Sequence, residues 1–328
     1  MYINCVVELS VVLDNDKFHK LLSRVYKQVE ELDDNKFIDQ TMSSKGVVVI
    51  YHDQQYKKKV KLTINPSVML NGGELNSDKL IQKLEQCVHN YFGFKYKLDD
   101  FNLKRIIIMA DIDVSNCEKV SAYMKVLQRI GKVKGFSPLS YDCLDDDIGF
   151  CLEGNSNGIQ FLIYDLMGLL TSQDRKTGTN HKKLKPVMKK SEGVLRAEVR
   201  LTQQKTVRHY TNETDTSKQL ADILENSREI FLATFVRVVP FGAFHKKDTA
   251  IEIIQREVKN MKVRRRMLRL VALVPEKKSL LLAQKALNYR RIDDVMETFA
   301  KINVSPITIS KRHKVDFLES LYSYLLAE

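Results

Sequence analysis

The stretch that most constrains the fold is Val194 to Gln203, VLRAEVRLTQ, where apolar and charged residues alternate from Leu195 to Leu201. In an extended strand, Arg196, Glu198 and Arg200 share one face, while Leu195, Ala197, Val199 and Leu201 share the other. Two strand-like runs precede it: Gly158 to Tyr164 (GIQFLIY) and Arg105 to Val114 (RIIIMADIDV). In the last of these, Ile106, Ile108, Ala110 and Ile112 form one face and Arg105, Ile107, Met109, Asp111 and Asp113 the other. If the three runs pair in one sheet, Asp111, Asp113, Tyr164 and Glu198 meet on one face. Buried carboxylates are costly unless they pair or bind a metal, so such a set needs a reason. Three carboxylates would suit Mg²⁺ or Mn²⁺, which prefer oxygen ligands. A phenol beside them could attack phosphorus once the phosphate is neutralised, because its ordinary pKa of about 10 leaves it protonated at neutral pH.

In chain order, Ile3 to Leu13 reads as a first strand, and Asp14 to Asp16 caps a helix over Phe18 to Leu32. Val47 to Tyr51 and Lys57 to Ile64 read as a hairpin whose second strand is basic and ends at Asn65-Pro66. Ser77 opens a helix that stops near Gly93, and Ser115 to Glu118 is a capping box opening another that runs to Gly131. Lys132 to Asn157 reads as loop, with Asp145 to Asp147 as an alternative metal site. Arg175, Lys176, Lys182, Lys183, Lys185, Lys189 and Lys190 form a basic insertion suited to DNA backbone. Beyond Thr206 helical periodicity takes over: Ser217 to Phe235, Asp248 to about Leu273, Ser279 to Leu287, Ile292 to Ile302 and Val315 to Leu326. The expectation is an α+β domain over 1–205, a largely antiparallel sheet with helices on one face and a working face opposite. An all-helical domain over 206–328, for DNA recognition or oligomerisation, follows it.

The 328 residues suffice for two domains, and a formal charge of +12 suits a polyanionic partner. Five cysteines without C-x-x-C spacing argue against a disulfide framework or zinc ribbon and for a reducing cytoplasm. The N-terminal MYINCVVELS lacks a basic leader, and no apolar run has the length of a membrane span.

The order of an R-x-x-x-x-x-D-x-D strand from Arg105, an I-Y-D strand end at Tyr164, a basic stretch and an L-R-x-E-x-x-L strand from Leu195 resembles the rolling-circle replication initiators. These are the filamentous-phage gene II nickases and the Rep proteins of Gram-positive plasmids, together with the related relaxases of conjugative elements. KLTINPSVMLNGG, Lys61 to Gly73, is similar to their strand and N-P turn, and the likeness spans Val60 to Lys205. It implies an HUH-like or RRM-like nuclease core, single or duplicated, with Tyr164 as nucleophile and Tyr210 as the second candidate. It further implies Asp111, Asp113 and Glu198 as ligands of Mg²⁺ or Mn²⁺. Arg105, Arg196, Arg200, Lys182 and Lys183 would hold DNA phosphates. The product would be a 5′-phosphotyrosine adduct and a free 3′ hydroxyl on origin DNA, with a host helicase and polymerase following. Three departures stand out. Leu166 and Met167 replace the lysine expected after Tyr164-Asp165, Ile107 replaces an aspartate of the plasmid type, and the His-x-His triplet is absent.

Overall fold

Alternation of β-branched and polar residues produces strands, and the chain has enough of them to make one wide sheet. The computed structural model describes residues 3–33, 35–73, 75–139, 148–156, 158–177 and 181–326, with the backbone alone at 32, 33, 175–177 and 181–184. Among the described residues the sheet has ten strands. They are β1 (Ile3–Leu13), β2 (Val29–Asp33), β3 (Lys36–Asp39), β4 (Val47–Gln54), β5 (Lys57–Ile64), β6 (Asn102–Asp113), β7 (Phe136–Pro138), β8 (Gly149–Gly154), β9 (Ile159–Asp165) and β10 (Val194–Leu201).

Their order is β2-β3-β4-β5-β1-β6-β10-β9-β8-β7, with every neighbouring pair antiparallel. The same path is traced twice outward from the centre, β1-β5-β4-β3-β2 on one side and β6-β10-β9-β8-β7 on the other. In both halves the first strand leads into a helix, α1 (Asn15–Val25) after β1 and α4 (Cys117–Gln128) after β6. Register puts the apolar residues of all the central strands on one face. Val7 lies opposite Ile64 and Ile106, and Ile108 opposite Val199, which in turn faces Phe161. All six are fully buried.

Helices cover that apolar face. In addition to α1 and α4 these are the short α2 (Pro66–Met69), α3 (Ser77–Phe92), α7 (Gln204–Tyr210), α8 (Thr216–Glu225), α9 (Ser227–Val238) and, at the end of the chain, α14 (Leu321–Leu326). Two further helices, α5 (Leu166–Thr177) and α6 (His181–Lys190), lie between β9 and β10 in sequence. The remainder is α10 (Lys247–Glu257), α11 (Met261–Lys277), α12 (Leu280–Leu287) and α13 (Ile292–Lys301), with a two-stranded sheet of β11 (Phe244–His245) and β12 (Phe317–Leu318). The buried cluster is continuous across residue 205. Phe235 of α9 meets Phe161 of β9 edge-on with ring centroids 5.8 Å apart, and the Tyr123 hydroxyl donates to the Glu319 carbonyl at 2.8 Å. Among the described residues no helix is long and apolar enough to cross a membrane.

Several local expectations are corrected. The helix expected to Leu32 ends at Val25, and a 3₁₀ turn leads into the β2–β3 hairpin. Asn76 and Asn116 cap α3 and α4, rather than Ser77 and Ser115; an Asn side chain reaches the backbone N–H three residues on as readily as a serine does. The capping box at Ser115 does not form, because Ser115 takes φ 80°. Lys132 to Asn157 contains β7 and β8, the basic insertion contains α5 and α6, Asn226 splits Ser217 to Phe235 into two helices, and β12 interrupts Val315 to Leu326. The C-terminal part is therefore not purely helical. The Asp145–Asp147 triplet lies outside the described residues, as do the side chains of Lys182, Lys183, Arg175 and Lys176.

Because the apolar cluster crosses from sheet to C-terminal helices, both should unfold together. Phe235→Ala should lower stability by about 3–5 kcal/mol and leave a single urea transition, with far-UV circular dichroism and tyrosine fluorescence coinciding. Two separated transitions would show that the helices melt apart from the sheet.

Candidate functional site

Strands β6, β10 and β9 are neighbours, so the three runs that carry the acidic, arginine and tyrosine residues lie side by side. Arg196 sits between Asp111 and Tyr164, Glu198 between Met109 and Leu162, and Arg200 between Ile107 and Gln160. With a period of two, all these residues point to the face opposite the apolar core. The register is held where β6 ends. The Val114 N–H donates to the Gly193 carbonyl at 2.8 Å, and a Cβ at Gly193, whose φ is +78°, would meet the Asn116 nitrogen at 2.8 Å. Only glycine fits there without strain.

The side chains form two linked groups. The Tyr164 hydroxyl donates to Glu198 Oε1 at 2.5 Å, and Arg200 donates to Oε2 from Nε at 2.7 Å and from Nη2 at 2.6 Å. One residue row away, Arg196 holds Asp111 in a bidentate fork, with Nε on Oδ1 at 2.6 Å and Nη2 on Oδ2 at 2.7 Å. Tyr164 is 3 % exposed, Glu198 4 % and Arg200 7 %, so the first group is closed to solvent, whereas Asp111 is exposed. A lid accounts for the difference. Helix α5 packs on this face, and Leu166, with Leu169 and Leu170, joins Tyr164, Leu162 and Val194 in a small apolar cluster. The sheet therefore carries helices on both faces at this end, not on one.

Burial raises the pKa of the Tyr164 phenol well above its ordinary value, and the negative charge of Glu198 and the hydrogen bond to it push the same way. Burial opposes the charge on Arg196, but Asp111 outweighs it and the guanidinium pKa rises. Cys151, on the same face, is pushed up to about 12 by burial, with Arg200 and Glu198 acting in opposite directions.

Of the sequence candidates, Asp111, Glu198, Tyr164, Arg196 and Arg200 share one face. Asp113 lies at its end and accepts from the Ser115 N–H at 2.8 Å. Arg105 lies farther along, 3.8 Å from Glu8, with its Nε buried and lacking an acceptor. Tyr210 ends α7 and packs against the main apolar core, away from Glu198. As folded, the three carboxylates are not a ligand set for Mg²⁺ or Mn²⁺. Both oxygens of Asp111 and both of Glu198 are taken by arginine or phenol donors, and Asp113 is turned to the backbone. No cluster of three His, Cys, Asp or Glu suited to a metal ion occurs among the described residues. Leu166, at the place where the resemblance expects lysine, is part of the lid. The apolar spacing of Leu166, Leu169 and Leu170 is the signal that the lid-forming helix was there.

The chemistry available is that of a phenol whose proton has an acceptor 2.5 Å away and of two guanidiniums, Arg196 and Arg200, on either side of Glu198 along β10, each a donor group of the kind that holds phosphate oxygens.

Removing Arg200 alone should strand a buried charge. Arg200→Met should destabilise by about 3–5 kcal/mol, and adding Glu198→Gln should recover most of the loss, as a double-mutant cycle by urea titration would show. The folded state keeps the Tyr164 phenol protonated above the pH at which the unfolded chain ionises. Its stabilising contribution is therefore full below pH 10.0 and declines as pH rises beyond it. Tyr164→Phe should flatten this alkaline decline in melting temperature. Comparison with protein-family models and with curated proteins finds no match for this chain.

Proposed function

We propose that the protein is a DNA nickase and strand transferase that initiates rolling-circle replication of a phage or plasmid, with Tyr164 as its nucleophile. The single observation that carries this reading is the Tyr164–Glu198 hydrogen bond of 2.5 Å, set among Arg200, Arg196 and Asp111 on one sheet face. The order of these residues in the sequence, the resemblance it carries and the charge of +12 all point the same way. The finer fold reading belongs here too: an HUH-like or RRM-like core present twice, supported by the strand path that is traced twice.

In this reading the Tyr164 oxygen attacks the scissile phosphorus as its proton passes to Glu198. The phosphorus–3′ oxygen bond breaks, leaving a 5′-phosphotyrosine and a 3′ oxygen that takes up a proton. Arg196 and Arg200 bear the developing charge on the non-bridging oxygens. The phenol's raised pKa means that proton transfer accompanies attack rather than preceding it. Reversal rejoins the ends without a cofactor, because the bond energy is kept in the phosphotyrosine. Substrate entry requires α5 to move off Tyr164. A cytoplasmic setting, a host helicase and polymerase, and oligomerisation through the C-terminal helices belong to the same proposal, and transfer of a conjugative element would use the same chemistry.

A second reading, a replication accessory protein that binds DNA without cutting it, is favoured by one observation: Tyr164 is 3 % exposed beneath the α5 lid. Incubation with supercoiled origin plasmid and labelled origin oligonucleotide, in Mg²⁺, Mn²⁺ and EDTA, separates the two. The nickase reading expects a denaturation-resistant adduct mapping to Tyr164, lost in Tyr164→Phe with DNA binding intact. Binding without an adduct under every condition would establish the accessory reading instead.

A further inference from the structure

The twice-traced strand path gives every residue of the Tyr164 row a counterpart in the N-terminal half. With β1 taken as the counterpart of β6, β5 of β10 and β4 of β9, the rows on the corresponding face are Glu8–Thr63–Val48, Ser10–Lys61–Ile50 and Val12–Lys59–His52. Two of these rows carry a lysine on the strand that corresponds to β10, and none carries a tyrosine. The N-terminal copy therefore has no phenol to transfer, yet it keeps and extends the positive charge.

That charge lies in rows across the sheet. Lys36, His52 and Lys59 are register partners on β3, β4 and β5, with Lys57 and Lys61 two residues to either side of Lys59 on the same face. Lys61 and Arg105 share one acidic neighbour, Glu8, at 2.9 Å and 3.8 Å. The surface stays open here, as Val12, opposite Lys59, is 55 % exposed. Mutual repulsion is felt: the pKa of His52 is lowered by burial and then by Lys59, Lys36 and Lys61, and that of Lys59 by burial and then by Lys104, Lys57 and Lys61. Arg105 keeps a buried Nε without an acceptor. A surface on which several lysines crowd round a single glutamate gains from a polyanion, which releases its counterions on binding. At the tip of the β4–β5 hairpin, next to Lys57, Tyr56 is 93 % exposed, a ring with no packing role in the monomer. A row of cations with an exposed aromatic at its end provides the elements of a single-strand platform.

We propose that the open face of the N-terminal half binds single-stranded nucleic acid, Lys57, Lys59 and Lys61 following the backbone and Tyr56 stacking on a base. This half would hold the strand that the C-terminal half processes. The inference rests on the reading of the partner as nucleic acid, but not on Tyr164 being a nucleophile.

The test is fluorescence anisotropy over a salt series with a labelled oligothymidine, its duplex and an RNA of matching length. Four proteins are compared: wild type, the double variant K57Q/K59Q, Tyr56→Ala, and Lys79→Gln on α3 in the opposite layer. The double variant should lower the slope of log affinity against log salt on the single strand by about 1.4, at about 0.7 per lost phosphate contact. Tyr56→Ala should weaken single-strand binding by roughly tenfold, about the worth of one stacked base, and leave the duplex unchanged. Lys79→Gln should match wild type throughout. All substituted positions are exposed or half-exposed, and unchanged melting temperatures would show that folding is retained. A double variant that binds as wild type does would overturn the platform. So would equal losses on strand and duplex with Tyr56→Ala silent. If wild type binds none of the three nucleic acids, the functional proposal falls as well. If binding follows the expectation while no Tyr164 adduct forms, the platform stands and only the nickase is lost.

Discussion

A carboxylate placed inside a protein must be met by charge or by hydrogen-bond donors, and Glu198 imposes that condition on this structure. It lies at 4 % exposure on β10, between β6 and β9, and its oxygens are satisfied only if Arg200 and Tyr164 both reach it. Arg200 is on the same strand two residues away, but Tyr164 comes from β9 and arrives only in one register. A slip of one residue between β9 and β10 would turn Tyr164 into the apolar core and leave the carboxylate short of a donor. Arg196 and Asp111 bind β10 to β6 by the same logic. Two polar links thus specify an alignment whose stability comes mainly from the apolar face beneath.

The apolar side does the bulk of the stabilising. Ile106, Ile108, Ala110, Val199 and Phe161 are all buried and continuous with the helices of the C-terminal part. At about 25 cal/mol per Å² of apolar surface removed from water, such a layer outweighs any ion pair on the opposite face. The polar groups add selectivity of register, and the α5 lid makes the first of them solvent-free, which strengthens each contact and shuts the phenol away from water.

The three strands of the site were legible in the sequence because one face of each is buried, and burial forces a strict period of two. From that alternation followed which side chains share a face. The identity of each arginine's partner was not legible, since it depends on cross-strand register: Arg196 took Asp111 and Arg200 took Glu198. The carboxylates were expected to gather round a cation, and sequence alone could not show that Asp111 and Glu198 would each already be engaged by a guanidinium and Asp113 by the Ser115 N–H. Strands β2 and β3 were missed because both are short, β2 at the sheet edge and β3 next to it, and VEELD and KFID carry weak alternation. Helices α5 and α6 were read as loop because their lysines and Pro186 suggest a solvated segment, which outweighed the helical spacing of Leu166, Leu169 and Leu170.

The position of β1 and β6 at the middle of the sheet has a consequence for how the chain is made. β1 finds β5 nearby in sequence, so the first half can assemble early during synthesis. β6 can dock on β1 at once, yet its other edge waits for β10, which follows the whole of α4 through α6. During translation that edge, rich in isoleucine, is bare and able to pair with another chain. Nascent copies crowded on one messenger are exposed to cross-pairing at this strand, and the aspartates at its end act as charged guards against it.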